Sequence, residues 1–202
     1  MRSLGNFRIP FEKSTMYDTD VRVPFYVRGP GVPAGGRIEG MASLMDVGAT
    51  MLELAGVTAP GQRTTDGRSL VPLMAASGAP PPGWRNGVLI EHLGEVNQWM
   101  DACGGWVYNY SCPAKHVPQE FLIDGPQNTF AEWRVVNSTH DFAFTDFRPR
   151  GTEPLRANTN WTELYNLRSD PWQGVNIADS TPLEAYRAEL WAVADCALEA
   201  CP

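Results

Sequence analysis

Few residues in this sequence can do chemistry unaided, and their spacing narrows what that chemistry is. The three histidines stand at 92, 116 and 140. No two share the spacing of helical metal ligands, so a histidine-built metal centre is not expected. Cys103, Cys112, Cys196 and Cys201 fall into two local pairs without zinc-knuckle spacing. They are disulfide candidates instead. Asn109, Asn137 and Asn160 each begin an Asn-x-Ser/Thr sequon and are glycosylation candidates. An even cysteine count with three sequons favours an oxidising compartment of the secretory pathway. The first residues carry no apolar leader, so the expectation is that an N-terminal portion is missing. Glu91 and His92 end the apolar run Val88-Leu89-Ile90, at the end of a strand where α/β sites collect. They are candidates to contact a ligand; the competing reading is a satisfied structural histidine. Trp84, Trp99 and Trp106 offer aromatic faces for a carbohydrate, though core packing or disulfide cover is the better explanation.

Composition excludes other classes. The 202 residues are 43% hydrophobic and 19% charged, an ordinary globular balance. Net charge is −7, and the lysines are only Lys13 and Lys115. Without a basic stripe, nucleic acid is not an expected partner. No apolar run reaches the roughly 18 residues a membrane helix needs.

The elements that must position these groups follow from pattern. Residues 21–28 read as a buried strand stopped by Gly29-Pro30-Gly31. Residues 43–56 read as a helix, with Ser43 and Asp46 as a capping box and Leu44, Val47, Met51, Leu54 and Ala55 as the inward face. Gly78 to Gly83, with three prolines, is the best linker. Strand-like pieces at 87–92, 132–136, 141–145 and 162–167 predict a small antiparallel sheet. Thr181-Pro182-Leu183-Glu184 opens a last helix whose buried face includes Tyr186, Leu190 and Trp191. Residues 97–130, rich in tryptophan, cysteine, proline and glycine, read as a surface insertion.

Three segments carry a family signature. The first runs from Phe7 through Lys13-Ser14-Thr15-Met16-Tyr17-Asp18-Thr19-Asp20-Val21-Arg22-Val23-Pro24 to Val27-Arg28-Gly29-Pro30-Gly31. The second is 43–56 followed by Asp66-Gly67-Arg68-Ser69-Leu70. The third is Glu163 to Ala178. In this order they resemble the C-terminal part of type I sulfatases, over residues 4 to about 201, and most resemble the N-acetylglucosamine-6-sulfatase branch. The resemblance implies an α/β fold: 1–83 as the trailing part of an alkaline-phosphatase-like α/β/α sandwich, and 84–202 as a small antiparallel-sheet-plus-helix subdomain. It implies hydrolysis of sulfate esters on amino sugars of glycosaminoglycans, with a sulfated carbohydrate as the partner. It also implies that Lys13 contacts the sulfate, where a compact ammonium suits a tetrahedral oxyanion.

The family's other chemistry has no counterpart in these residues. Such enzymes use a formylglycine made within a C/S-x-P-S-R motif and a calcium ion held by acids that precede the matching region. No C/S-x-P-S-R occurs here. The chain alone is therefore expected to be inactive, with no calcium ligands of its own. Two rivals stand beside this reading: a non-catalytic glycoprotein that binds sulfated sugars, and a phosphodiesterase or phosphonate hydrolase of the same fold.

Overall fold

The computed structural model describes residues 15–57, 66–76, 78–93, 128–148, 159 and 161–196. Four strands form one antiparallel sheet in chain order: β1 (Gly87–His92), β2 (Phe130–Val136), β3 (Asp141–Phe147) and β4 (Trp161–Asn166). The expected small antiparallel sheet is present, with each strand within a residue or two of its predicted place. β2 and β3 are joined by a tight hairpin whose turn residue Asn137 donates its N–H to the His140 carbonyl.

Side-chain alternation gives the sheet two distinct faces. On one, Ala131, Trp133, Val135, Phe142, Phe144 and Leu164 pack against the helix α4 (Glu184–Ala194), whose Leu190 is fully buried. Tyr186 meets Phe142 edge-on and stacks on Phe144. A charged pair anchors the same helix: Arg187 Nε lies 2.9 Å from Asp146 Oδ2 and Nη2 lies 3.2 Å from Oδ1. The helix begins at Glu184, two to three residues later than the Thr181 cap predicts, because Thr181 spends its hydroxyl on the Ile177 carbonyl.

The opposite face is polar. Cross-strand pairing aligns Ile90, Glu132, Thr145 and Glu163 in one row and Val88, Arg134, Ala143 and Tyr165 in the next. Residues 15–21, including the single turn α1 (Asp18–Val21), lie over these rows.

Two expectations fail. Residues 22–28 form no strand; they are exposed, with Val23, Phe25, Tyr26 and Val27 all accessible. A buried strand needs ladder partners, and no described strand lies beside this segment, where Pro24 also lacks a donor. The helix α2 (Met45–Leu54) forms, but its expected inward face is its outer one: Leu44, Met51 and Leu54 are exposed, whereas Asp46 and Thr50 are buried. Asp46 is the reason. Its carboxylate accepts from the backbone N–H of Ser43 (2.7 Å) and of Arg68 (2.8 Å) and pairs with Arg85. Thr50 takes the Leu70 N–H at 2.8 Å. This network draws the loop before α3 (Val71–Ala75) onto the polar face of α2. Gly67 makes the approach possible, since a Cβ there would lie 2.3 Å from the Met45 carbonyl oxygen. The 78–83 linker is tied rather than free: Glu39 donates its N–H to the Gly78 carbonyl, and Trp84 Nε1 donates to that of Met41.

Candidate functional site

The first and third signature segments meet on the polar face of the sheet. Tyr17 and Tyr165 both donate to Glu163 Oε2, at 3.2 and 2.8 Å. Trp161 Nε1 donates to the other oxygen at 3.0 Å. Burial first, then the Glu163 carboxylate, pushes the Tyr17 hydroxyl up to about 12 and raises that of Tyr165. Both phenols therefore stay protonated and act as donors. Asp18 holds Arg134 through two contacts, 2.8 and 3.1 Å, and its N–H donates to Gln173 Oε1 at 2.7 Å. Gln173 sits at positive φ inside the turn that Asp170-Pro171 opens. Asn176 closes that turn by accepting the N–H groups of Leu164 and Ala178.

Beneath this array lies Glu132, fully buried on β2. Thr145 Oγ1 donates to its Oε2 at 2.8 Å, and Oε1 has no hydrogen-bond partner. Loss of water pushes its carboxyl up to about 8, against the opposing effect of the Thr145 bond. At neutral pH it is mostly a neutral acid.

Docking of residues 15–21 builds a cavity of about 240 Å³ against the end of β1. Thr15, Asp20 and Val21 form one wall; Ile90, Glu91, His92 and Phe130 form the other. Glu91 and His92, singled out by sequence, are brought together here. Burial holds the Glu91 carboxyl above its ordinary range. The His92 ring lies 5.5 Å from that of Phe130. Thr15 Oγ1 donates to Asp20, whose side chain is buried. Thr15 stands two residues after Lys13 in the chain. Sequence reasoning missed Thr15, Asp20 and Phe130; the signal available was their position in or opposite the first signature segment.

The lining sets the chemistry. Among the described residues, its ionisable groups are two carboxyls and an imidazole. Such walls accept hydrogen bonds from hydroxyls and amides and repel a bare anion. Among the described residues no group of three or more His, Cys, Asp or Glu is arranged to hold a metal ion. The residues described therefore do not fit calcium. No helix among them is long and apolar enough to cross a membrane. Lys13, Cys103, Cys112, Cys201, Asn109 and Asn160 lie outside the described residues. Cys196 is in a disulfide, and its partner also lies outside them.

The family described as N-sulphoglucosamine sulphohydrolase, C-terminal, matches residues 5–100. The N-acetylglucosamine-6-sulfatases of Bos taurus and Homo sapiens are 30% and 29% identical over 182 and 180 residues, 87% and 86% of this chain. An arylsulfatase of Chlamydomonas reinhardtii is 30% identical over 98% of it. In all three the chain spans 29% of the relative's length. A solved protein in complex with D-glucosamine-2-N,6-O-disulfate aligns with a TM-score of 0.41 at 22% identity, covering 72% of this chain and 22% of that one, too slight a likeness to carry an argument. On the sequence comparisons, this chain belongs with the sulfatases and corresponds to their C-terminal portion.

Proposed function

We propose that the whole protein hydrolyses sulfate esters of amino sugars, with N-acetylglucosamine-6-sulfate groups of glycosaminoglycans as the substrate class. The observation that carries this reading is the convergence of the first signature segment and the end of β1 on one cavity, in a chain similar along most of its length to N-acetylglucosamine-6-sulfatases. In this reading the work is divided. Glu91 and His92 take hydroxyl or acetamido groups of the sugar, for which the acidic, imidazole-bearing wall is suited. Lys13 neutralises the sulfate oxygens as the S–O bond breaks.

The nucleophile is no residue of this chain, because the formylglycine motif does not occur in it. Calcium, if the whole enzyme uses it, takes its ligands from elsewhere than the described residues. Residues 1–83 would complete an alkaline-phosphatase-like sandwich and 84–202 would form the subdomain that supports the sugar end of the mouth. The disulfide at Cys196 supports a secretory, lysosomal or extracellular location.

The test is turnover of 6-sulfated N-acetylglucosamine by the full-length protein. Lys13→Ala should lower kcat, whereas Glu91→Gln and His92→Ala should mainly raise KM. Saturable binding of the sulfated sugar without turnover would favour the non-catalytic glycoprotein instead.

A further inference from the structure

A second cavity, of about 320 Å³, lies on the other face of the sheet, between the β2–β3 hairpin and α4. Its walls mix aromatic side chains with polar ones, Asn86, Asn137 and Glu189 among them. Trp133, Phe142 and Tyr186 line it, with Glu189 accepting from Trp133 Nε1 at 3.3 Å. Its volume is at the small end of ligand pockets, near 300 Å³, and suits a single sugar ring. Trp133 and Phe142 are buried and Tyr186 is half-buried, so a seated sugar meets the accessible parts of these rings.

Asn137 lines the same cavity. Alternation explains why: Trp133, Val135 and Asn137 are spaced by two along one strand and its extension, so they share a face. Asn137 also begins the sequon Asn137-Ser138-Thr139, which occupies the hairpin tip. Ser138, Thr139 and His140 are exposed there. The turn fixes one end of the Asn137 amide and frees the other. Oδ1 accepts from Thr139 N–H (2.9 Å), Thr139 Oγ1 (2.9 Å) and His140 N–H (2.7 Å). Arg168 holds the backbone by donating to the Asn137 and Ser138 carbonyls. Nδ2 donates to nothing among the described residues, so a substituent there costs no hydrogen bond of the fold.

We infer that Asn137 carries an N-linked glycan whose first N-acetylglucosamine seats in the cavity lined by Trp133, Phe142 and Tyr186. The modification needs an oligosaccharide carried on a lipid diphosphate. Nδ2 forms a bond to the sugar C1, the C1–oxygen bond to the diphosphate breaks, the diphosphate departs with that electron pair, and the amide proton passes to a base of the transferring enzyme. The folded chain then needs no rearrangement to keep the sugar. This inference does not depend on the sulfatase reading.

The test uses the full-length protein secreted from a eukaryotic host. Glycosidase release in ¹⁸O-water should leave the label at residue 137; an unlabelled, unmodified Asn137 overturns the inference. Thermal midpoints should agree for the intact glycan and for the form trimmed to one N-acetylglucosamine, and fall by about 2–4 °C on complete release. Release also turns Asn137 into aspartate, so Tyr186→Ala separates the two causes: the drop should vanish in that variant, and a drop that persists contradicts seating. Hydrogen exchange of the Ala185–Glu189 segment tests seating without a variant. The single sugar should protect it relative to the released form, and equal exchange contradicts seating.

Discussion

Asp18 and Arg134, 116 residues apart, form a two-point contact, Nε to Oδ1 at 2.8 Å and Nη2 to Oδ2 at 3.1 Å. The guanidinium is almost wholly buried, and it also meets Asp141 at 2.8 Å. This pair fastens the first signature segment to β2 and so sets the distance between the two walls of the candidate site. Asp18→Ala removes two charge-assisted bonds but leaves Arg134 with Asp141. The expected loss is about 1.5–3 kcal/mol of unfolding free energy, read from urea titration. Arg134→Lys should lose a similar amount, because an ammonium cannot make the two-point contact.

Glu132 predicts a pH dependence with a definite sign. Its folded value, about 8, lies above the ordinary carboxyl value of 4.5. A raised acid favours folding least once the unfolded form has ionised. The contribution is fully present below about 4.5, falls as pH rises, and levels off above about 8. The slope approaches one proton, about 1.4 kcal/mol per pH unit at most. Glu132→Gln should flatten the urea midpoint between pH 5 and 8 and raise it at pH 7.5. An unchanged slope in that variant would remove Glu132 as the cause.

Gly67 predicts a steric loss. A methyl at that position collides with the Met45 carbonyl, which is backbone and cannot move aside cheaply. Gly67→Ala should cost about 1–3 kcal/mol by displacing Arg68 N–H from Asp46. Gly48, on the open side of α2, has nothing within 4 Å of a built Cβ, and Gly48→Ala should be neutral or stabilising.

The outer face of α2 predicts behaviour in solution. Met45, Met51 and Leu54 are exposed on a ten-residue helix, Leu44 is exposed just before it, and Phe25 and Tyr26 add to the accessible apolar surface. The isolated 202-residue chain should bind a hydrophobic dye and self-associate, and Met51→Lys with Leu54→Lys should reduce both. Light scattering of the two proteins at equal concentration checks this.

The sheet and its helix are legible in the sequence because their signals are local. Alternation along 130–136 and 141–147 and the helical spacing of apolar residues in 184–194 each bury one side against the other. Residues 21–28 mislead, because a run of Val, Phe and Tyr reports the tendency to be covered and not whether a partner is there. The face of α2 misleads for a related reason. Periodicity marks the apolar stripe, but Asp46, which reads only as a cap, also binds Arg68 and Arg85 and turns the polar stripe inward. For the site, Glu91 and His92 are visible as polar residues ending an apolar strand. Thr15 and Asp20 are hidden, because only the long-range contacts of Tyr17 and Asp18 bring that segment to the end of β1.

In the proposed division of labour, this chain supplies the sulfate-neutralising ammonium and the sugar-facing wall of a sulfatase, and not its nucleophile. The most direct measurement is the turnover number on N-acetylglucosamine-6-sulfate, with calcium supplied, for the full-length protein, its Lys13→Ala variant and the isolated chain. The expected result is turnover by the full-length protein, a loss of about 10²–10³-fold in the variant, and none from the isolated chain. Turnover by the isolated chain, or an unchanged kcat in Lys13→Ala, would contradict it.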